Sequence, residues 1–86
     1  MVMFKFISDP GHGWLEVNLK DFPFAQRSAT GFGYKNGDFI YLEEDAEAND
    51  FLVELRQRDI AFDIEEINLD ERWEGRDYER NRKLNK

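Results

Sequence analysis

Few residues in this chain have types and spacings that could do chemistry. His12 is the single histidine. It stands in Ser8–Val17, SDPGHGWLEV, between two glycines, with Asp9 before it and Trp14 and Glu16 after it. A histidine oriented by a carboxylate can serve as a general base. Such a base needs a nucleophile to activate, and Ser8, Ser28 and Thr30 lie in no pattern that would activate a hydroxyl. Asp9-Pro10-Gly11-His12 reads better as a turn, because proline fixes φ and glycine tolerates positive φ. No catalytic residue is assigned, and the chain is expected not to be an enzyme. The alternative left open is a small-ligand or nucleotide site on His12, Trp14 and Glu16. Trp14 and Glu16 project from one side of a strand, and an indole can stack on a base.

Metal chemistry has little support at this level. One histidine and no cysteine leave carboxylates as the main ligands. The stretch DAEAND opens like a calcium loop, but Asp50 stands where that loop needs glycine and Arg56 where it needs an acid. GFGYKNG is rich in glycine, yet it sits inside a hairpin and not between a strand and a helix, so it is no phosphate cradle. No metal or cofactor is implied. The remaining cluster is Glu43, Glu44, Asp45, Glu47 and Asp50. Asp45 is placed as a helix N-cap, and the acids around it suit the positive end of the helix dipole. An exposed run of this kind would also meet a basic partner, and mimicry of nucleic-acid phosphates is one form of such a contact.

Charge and length bound the partners. The 86 residues make one small domain, which buries about 60 per cent of its unfolded surface. Net charge is −7, unevenly spread: residues 1–70 hold six basic and fifteen acidic groups, residues 71–86 six basic and four acidic. An acidic body repels a phosphate backbone, so direct duplex binding is disfavoured and a protein with a basic surface is the natural partner. No run approaches the about 18 apolar residues of a membrane span, and the N-terminus lacks the features of a signal peptide. Together with the absence of cysteine this places the chain in the cytoplasm.

The elements that must position these groups follow from periodicity. Residues 2–7 and 13–19 alternate and form a hairpin about the Asp9–His12 turn. Pro23 between two phenylalanines excludes a central strand and predicts a loop or single turn. In GFGYKNGDFIYLEE, Asn36-Gly37 is read as the two-residue loop of a type I′ hairpin, pairing Tyr34 with Phe39 and Phe32 with Tyr41. Ala48, Phe51, Leu52 and Leu55 give residues 46–58 one helical stripe. Ile60, Phe62 and Ile64 mark a last strand.

The predicted architecture is α+β: two layers, a mostly antiparallel sheet in the order β-β-loop-β-β-α-β, with one amphipathic helix on one face. Residues 1–67 form the domain. Residues 68–86 form a charged, partly disordered C-terminal tail with Trp73 and Tyr78 as its only anchors. One helix covers one face, which leaves Trp14, Phe32, Tyr34, Phe39 and Tyr41 on the other. Leaving even two such rings wet forgoes several kcal/mol at about 25 cal/mol per Å². A second copy of the chain is expected to bury them in a homodimer, the alternatives being cover by the tail through Trp73 and Tyr78 or recognition of another molecule.

SDPGHGWLEV, the hairpin YKNGDFIYLEED and Phe51 together resemble a family of small proteins encoded by bacteriophages and by prophage or plasmid segments. The resemblance covers roughly residues 4–66. It implies a phage or mobile-element origin and brings no activity with it. By analogy with small acidic phage proteins, the expected function is to bind and inhibit or modulate a host protein of defence or nucleic-acid-processing machinery in the bacterial cytoplasm. The contacts would be the acidic helix start and the aromatic row.

Overall fold

A computed structural model describes residues 1–81 of the chain. The strands are β1 (Val2–Ser8), β2 (Gly13–Asn18), β3 (Tyr34–Asn36), β4 (Phe39–Glu43), β5 (Phe62–Asn68) and β6 (Glu79–Arg80). One α-helix, α1 (Ala46–Gln57), lies between β4 and β5, and short 3-10 helices span Pro23–Ser28 and Glu74–Asp77. All six strands join one sheet in the order β5-β1-β2-β4-β3-β6. Among the described residues only β1 and β5 run parallel, because the chain passes through α1 before it returns beside β1. The fold is α+β, as the periodicity predicts.

One face is packed as the alternation requires. Phe4, Leu15, Val17, Ile40 and Leu42 point to α1, whose Ala48, Phe51 and Leu55 are buried against them. Phe22 and Phe24, on either side of Pro23, close the edge of this core, with ring centroids 6.1 and 5.7 Å from Phe51. The helix ends in a Schellman motif: Ile60 N–H donates to Leu55 O and Asp59 N–H to Arg56 O, with Asp59 left-handed at φ 58°.

The β3–β4 hairpin differs from expectation in its turn. Tyr34 pairs with Tyr41 and Asn36 with Phe39, so the loop is Gly37-Asp38 and not Asn36-Gly37. Gly37 takes φ 62°, whereas Asp38 is not among the residues of positive φ. Glycine at the first loop position is the type II′ arrangement, which suits strand twist as well as type I′ does. Pairing shifts by two positions, an even number, so Tyr34, Phe39 and Tyr41 still share a face.

The expected helix cap also differs. Asp45 has φ 74° and makes no side-chain cap hydrogen bond. Glu47 turns inward instead. Its carboxylate accepts the Glu43 N–H at 2.9 Å and the Thr30 N–H at 2.7 Å, so the acid that satisfies backbone donors lies one position inside the helix.

The tail brings the largest correction. Residues 69–81 do not fray; they cross the second sheet face. Leu69 N–H donates to Ser8 O, β6 pairs with β3, and Trp73 is buried among Ile7, Trp14, Tyr34 and Tyr41. The tail expected from residue 68 thus packs against the rest of the chain as far as Asn81, while 82–86 lie outside the described residues. Of the five aromatics expected on an open face, Trp14, Tyr34 and Tyr41 are covered, and only Phe32, at 66 % exposure, and Phe39, at 37 %, meet solvent. The premise for a covering second copy is not met, because this chain's own Trp73 fills the place. Sedimentation equilibrium at micromolar concentration should accordingly give one chain mass of 10.3 kDa. A stable dimer would show that some other surface self-associates.

Candidate functional site

The β1–β2 turn is where the sequence-picked residues and the tail meet. Asp9 closes the turn through its own backbone: its N–H donates to His12 O at 2.9 Å, and its Oδ1 accepts the Gly11 and His12 N–H groups. The same carboxylate does not orient the His12 ring, as a general-base reading requires. Its remaining capacity is taken by the Trp73 N–H at 2.9 Å and by Arg76, whose Nε and Nη2 each donate at 2.7 Å. The Asp9 side chain is 1 % exposed. The Arg76 guanidinium holds its carboxyl far below the usual carboxylate range; burial pushes the other way, and the amides of Trp73, Gly11 and His12 add to the lowering.

Around this latch the rings pack at tilted and edge-on angles. Trp73 lies 4.6 Å from Trp14 and 4.9 Å from Tyr41, centroid to centroid, and Arg76 sits over the Trp14 ring at 4.9 Å. Trp73 folds back over its own chain because residue 75 is glycine: a Cβ there would collide with the indole. A second clamp holds the far end. Asn81, fully buried, donates to Tyr41 O and to Glu47 Oε1 and accepts the Gly31 N–H. Burial pushes the Glu47 carboxyl up, but hydrogen bonds from Thr30 and Asn81 and from the amides of Glu43 and Thr30 outweigh it and leave it lowered.

The structure therefore divides the sets read from sequence. Among the acids expected to contact a partner, Glu47 is buried and internal, and Asp50 accepts from Ser28 Oγ at 2.9 Å. Glu43 and Glu44 face His12, whose Nδ1 lies 3.8 and 3.6 Å from their carboxylates, and Asp45 remains exposed. Burial raises the Glu43 carboxyl; His12 opposes this, while Asp45, Glu47 and Glu44 reinforce it. The set His12, Trp14 and Glu16 does not converge. His12 and Trp14 line a cavity of about 220 Å³ with Phe32, Tyr34, Arg76 and Arg80. Glu16 accepts the Tyr41 hydroxyl at 2.9 Å and lines a separate groove of about 660 Å³. Burial and Glu16 together push the Tyr41 hydroxyl well above its ordinary value.

That groove was not foreseen. Ile7, Ile67, Leu69 and Trp73 supply its apolar lining, and Glu16, Asp70, Glu71 and Glu74 are its acids, with Lys5 and Arg72 among them. Arg72 is already paired with Asp77 at 2.9 Å. Asp70, Glu71 and Glu74 have neither an ion-pair nor a hydrogen-bond partner among the described residues, and all three are exposed. The sequence signal was the acid pair Asp70-Glu71, hidden inside a segment with no periodicity. Among the described residues no helix is long and apolar enough to cross a membrane.

Compared with protein-family models, curated proteins and solved structures, the chain has no match.

The latch makes a definite demand on acid. A carboxyl whose pKa is lowered by folding stabilises the native state fully above its unfolded value of about 3.9, and that contribution is lost as pH falls below it. Asp9→Asn should cost about 3 kcal/mol in urea unfolding at pH 7, since it leaves a partly buried guanidinium without its counter-charge. The gap between the two proteins should narrow as pH is lowered from 4 toward 2, about where the wild-type carboxyl begins to protonate in the unfolded chain. A gap independent of pH would place the cost elsewhere than in the charge of Asp9.

Proposed function

We propose that the protein is a non-enzymatic binding domain that takes a basic, partly apolar segment of another protein into the groove beside β1, β5 and the tail. One observation carries this reading: an apolar lining of Ile7, Ile67, Leu69 and Trp73 meets three exposed carboxylates, Asp70, Glu71 and Glu74, that are unpaired among the described residues. An apolar floor favours association by area, and unpaired acids favour a Lys- or Arg-bearing partner while speeding encounter. The acidic balance of the body argues against a nucleic-acid duplex in the same place.

The resemblance to phage- and prophage-encoded proteins extends this reading. On it the partner is a host protein in the bacterial cytoplasm, of the defence or nucleic-acid-processing kind, and the outcome of binding is inhibition or modulation. The contact surface is then the groove and the exposed acid Asp45, with Phe32 and Phe39 as exposed aromatic side chains that can meet a partner.

The test is charge reversal on the groove rim. Asp70→Lys combined with Glu71→Lys and Glu74→Lys should weaken binding of a partner captured from bacterial lysate at least about tenfold, and should flatten its dependence on salt. All three positions are exposed, so the fold should be retained. Unchanged affinity in the triple variant would remove the groove from the interface.

A further inference from the structure

We propose that His12, Glu43 and Glu44 form a binding site for a divalent transition cation of the zinc class, opening onto the cavity beside Trp14. The donors come from two segments that the fold fixes together. His12 sits in the turn tied down by Asp9; Glu43 ends β4 and Glu44 follows it, its N–H donating to Gly13 O at 2.9 Å. One ligand atom from each residue lies within 4.8 Å of the other two. His12 Nδ1 is 3.6 Å from Glu44 Oε2 and 3.8 Å from Glu43 Oε2. Ligands about 2.0–2.1 Å from a tetrahedral zinc stand about 3.3–3.4 Å apart, so the His12–Glu43 and His12–Glu44 separations need to close by only a few tenths of an ångström, with the two carboxylates brought together in the same movement.

Chemistry selects the ion. An imidazole nitrogen with two carboxylate oxygens suits zinc and its first-row neighbours. Calcium wants about six to eight oxygens and magnesium an octahedron of oxygens, and the cluster offers neither. Three protein ligands leave at least one coordination position for water or for an external donor, as in catalytic sites and unlike closed structural ones.

A second, independent observation lies in the adjoining cavity of about 220 Å³, to which His12 and Glu43 also contribute. Its wall includes Trp14, whose Nε1 is, among the described residues, the buried side-chain polar atom left without a hydrogen-bond partner. Such an orphan costs about 1–3 kcal/mol unless something supplies an acceptor. Arg80 lines the same space. It is held over Tyr34 at 4.6 Å and donates through Nη1 to Phe32 O, with further N–H groups to offer. A small anion in the cavity would give the Arg80 guanidinium a counter-charge. The class of external ligand is accordingly a small anion, such as a carboxylate or phosphate, bound with the metal.

This site is separate from the groove proposed for the partner, and each can fail without the other. The experiment is isothermal titration of tag-free, full-length protein with Zn²⁺, repeated with Co²⁺ followed by its visible absorption. His12 is the chain's single histidine and there is no cysteine, so imidazole-dependent binding reports this cluster alone. One equivalent of Zn²⁺ should bind at low-micromolar concentration, and Co²⁺ should give a spectrum of low coordination number. His12→Ala and Glu44→Gln should each weaken binding at least about tenfold with unchanged near-ultraviolet circular dichroism, because these side chains are 54 % and 39 % exposed. Asp70→Asn should leave it unchanged. Failure to bind one equivalent at about 100 µM Zn²⁺, or binding that survives His12→Ala, overturns the site; the latter would mean adventitious binding to surface carboxylates.

Discussion

Much of this structure depends on one buried carboxylate. Asp9 accepts five hydrogen bonds, two from the turn that contains it and three from a segment more than sixty positions away. A carboxylate cannot be taken out of water without such partners, and once buried it penalises every arrangement that removes one of them. A buried ion pair is weak evidence for net stability, since apolar replacements often do as well. Its value here is directional. The turn can close without Arg76, but the tail has one place to land.

From that landing point the second face follows. Arg76 over Trp14 and the Trp73 N–H on Asp9 set the Trp73 indole against Trp14 and Tyr41, and Gly75 gives it room. Each aromatic contact of this kind is worth about 0.5–1.5 kcal/mol beyond the area buried. The chain then continues to β6 and to Asn81, which reaches Glu47. Glu47 in turn holds Thr30, Phe32 and Glu43, so the helix start, the loop before β3 and the end of the tail share one acceptor. The inward turn of Glu47 is also why the acidic run does not present one face to a partner. Its members are divided among an internal hub, a contact with Ser28 and a cluster with His12.

The contrast between what could be read beforehand and what could not has a physical basis. Phe4, Leu15, Val17, Ile40, Leu42, Phe51 and Leu55 share one core, and the alternation and helical stripe that bring them there are local, periodic signals. The hairpin was found but not its turn: Asn36-Gly37 and Gly37-Asp38 are both good two-residue loops, and pairing with β2 and β6, outside the local sequence, decides between them. The tail's anchors Trp73 and Tyr78 are legible in the sequence but its order is not, because that order rests on Trp73, Arg76 and Asn81, three side chains without periodicity whose partners are distant in sequence. A high charge content looks like disorder until a buried acid elsewhere is known to need a guanidinium. The acidic groove was hidden for the same reason, since half of it is tail.

The central claim is that the tail is a structural layer of the domain. Hydrogen exchange at the Trp73 amide tests it most directly, because that N–H is bonded to buried Asp9 Oδ2 and is itself in the buried cluster. The account predicts protection of the same order as for the core amides of Leu15 and Leu42, lost together with theirs when the whole protein opens. Exchange at the rate of an unstructured chain, with Leu15 and Leu42 still protected, would contradict it: the tail would then be a frayed appendage and the aromatic face open after all.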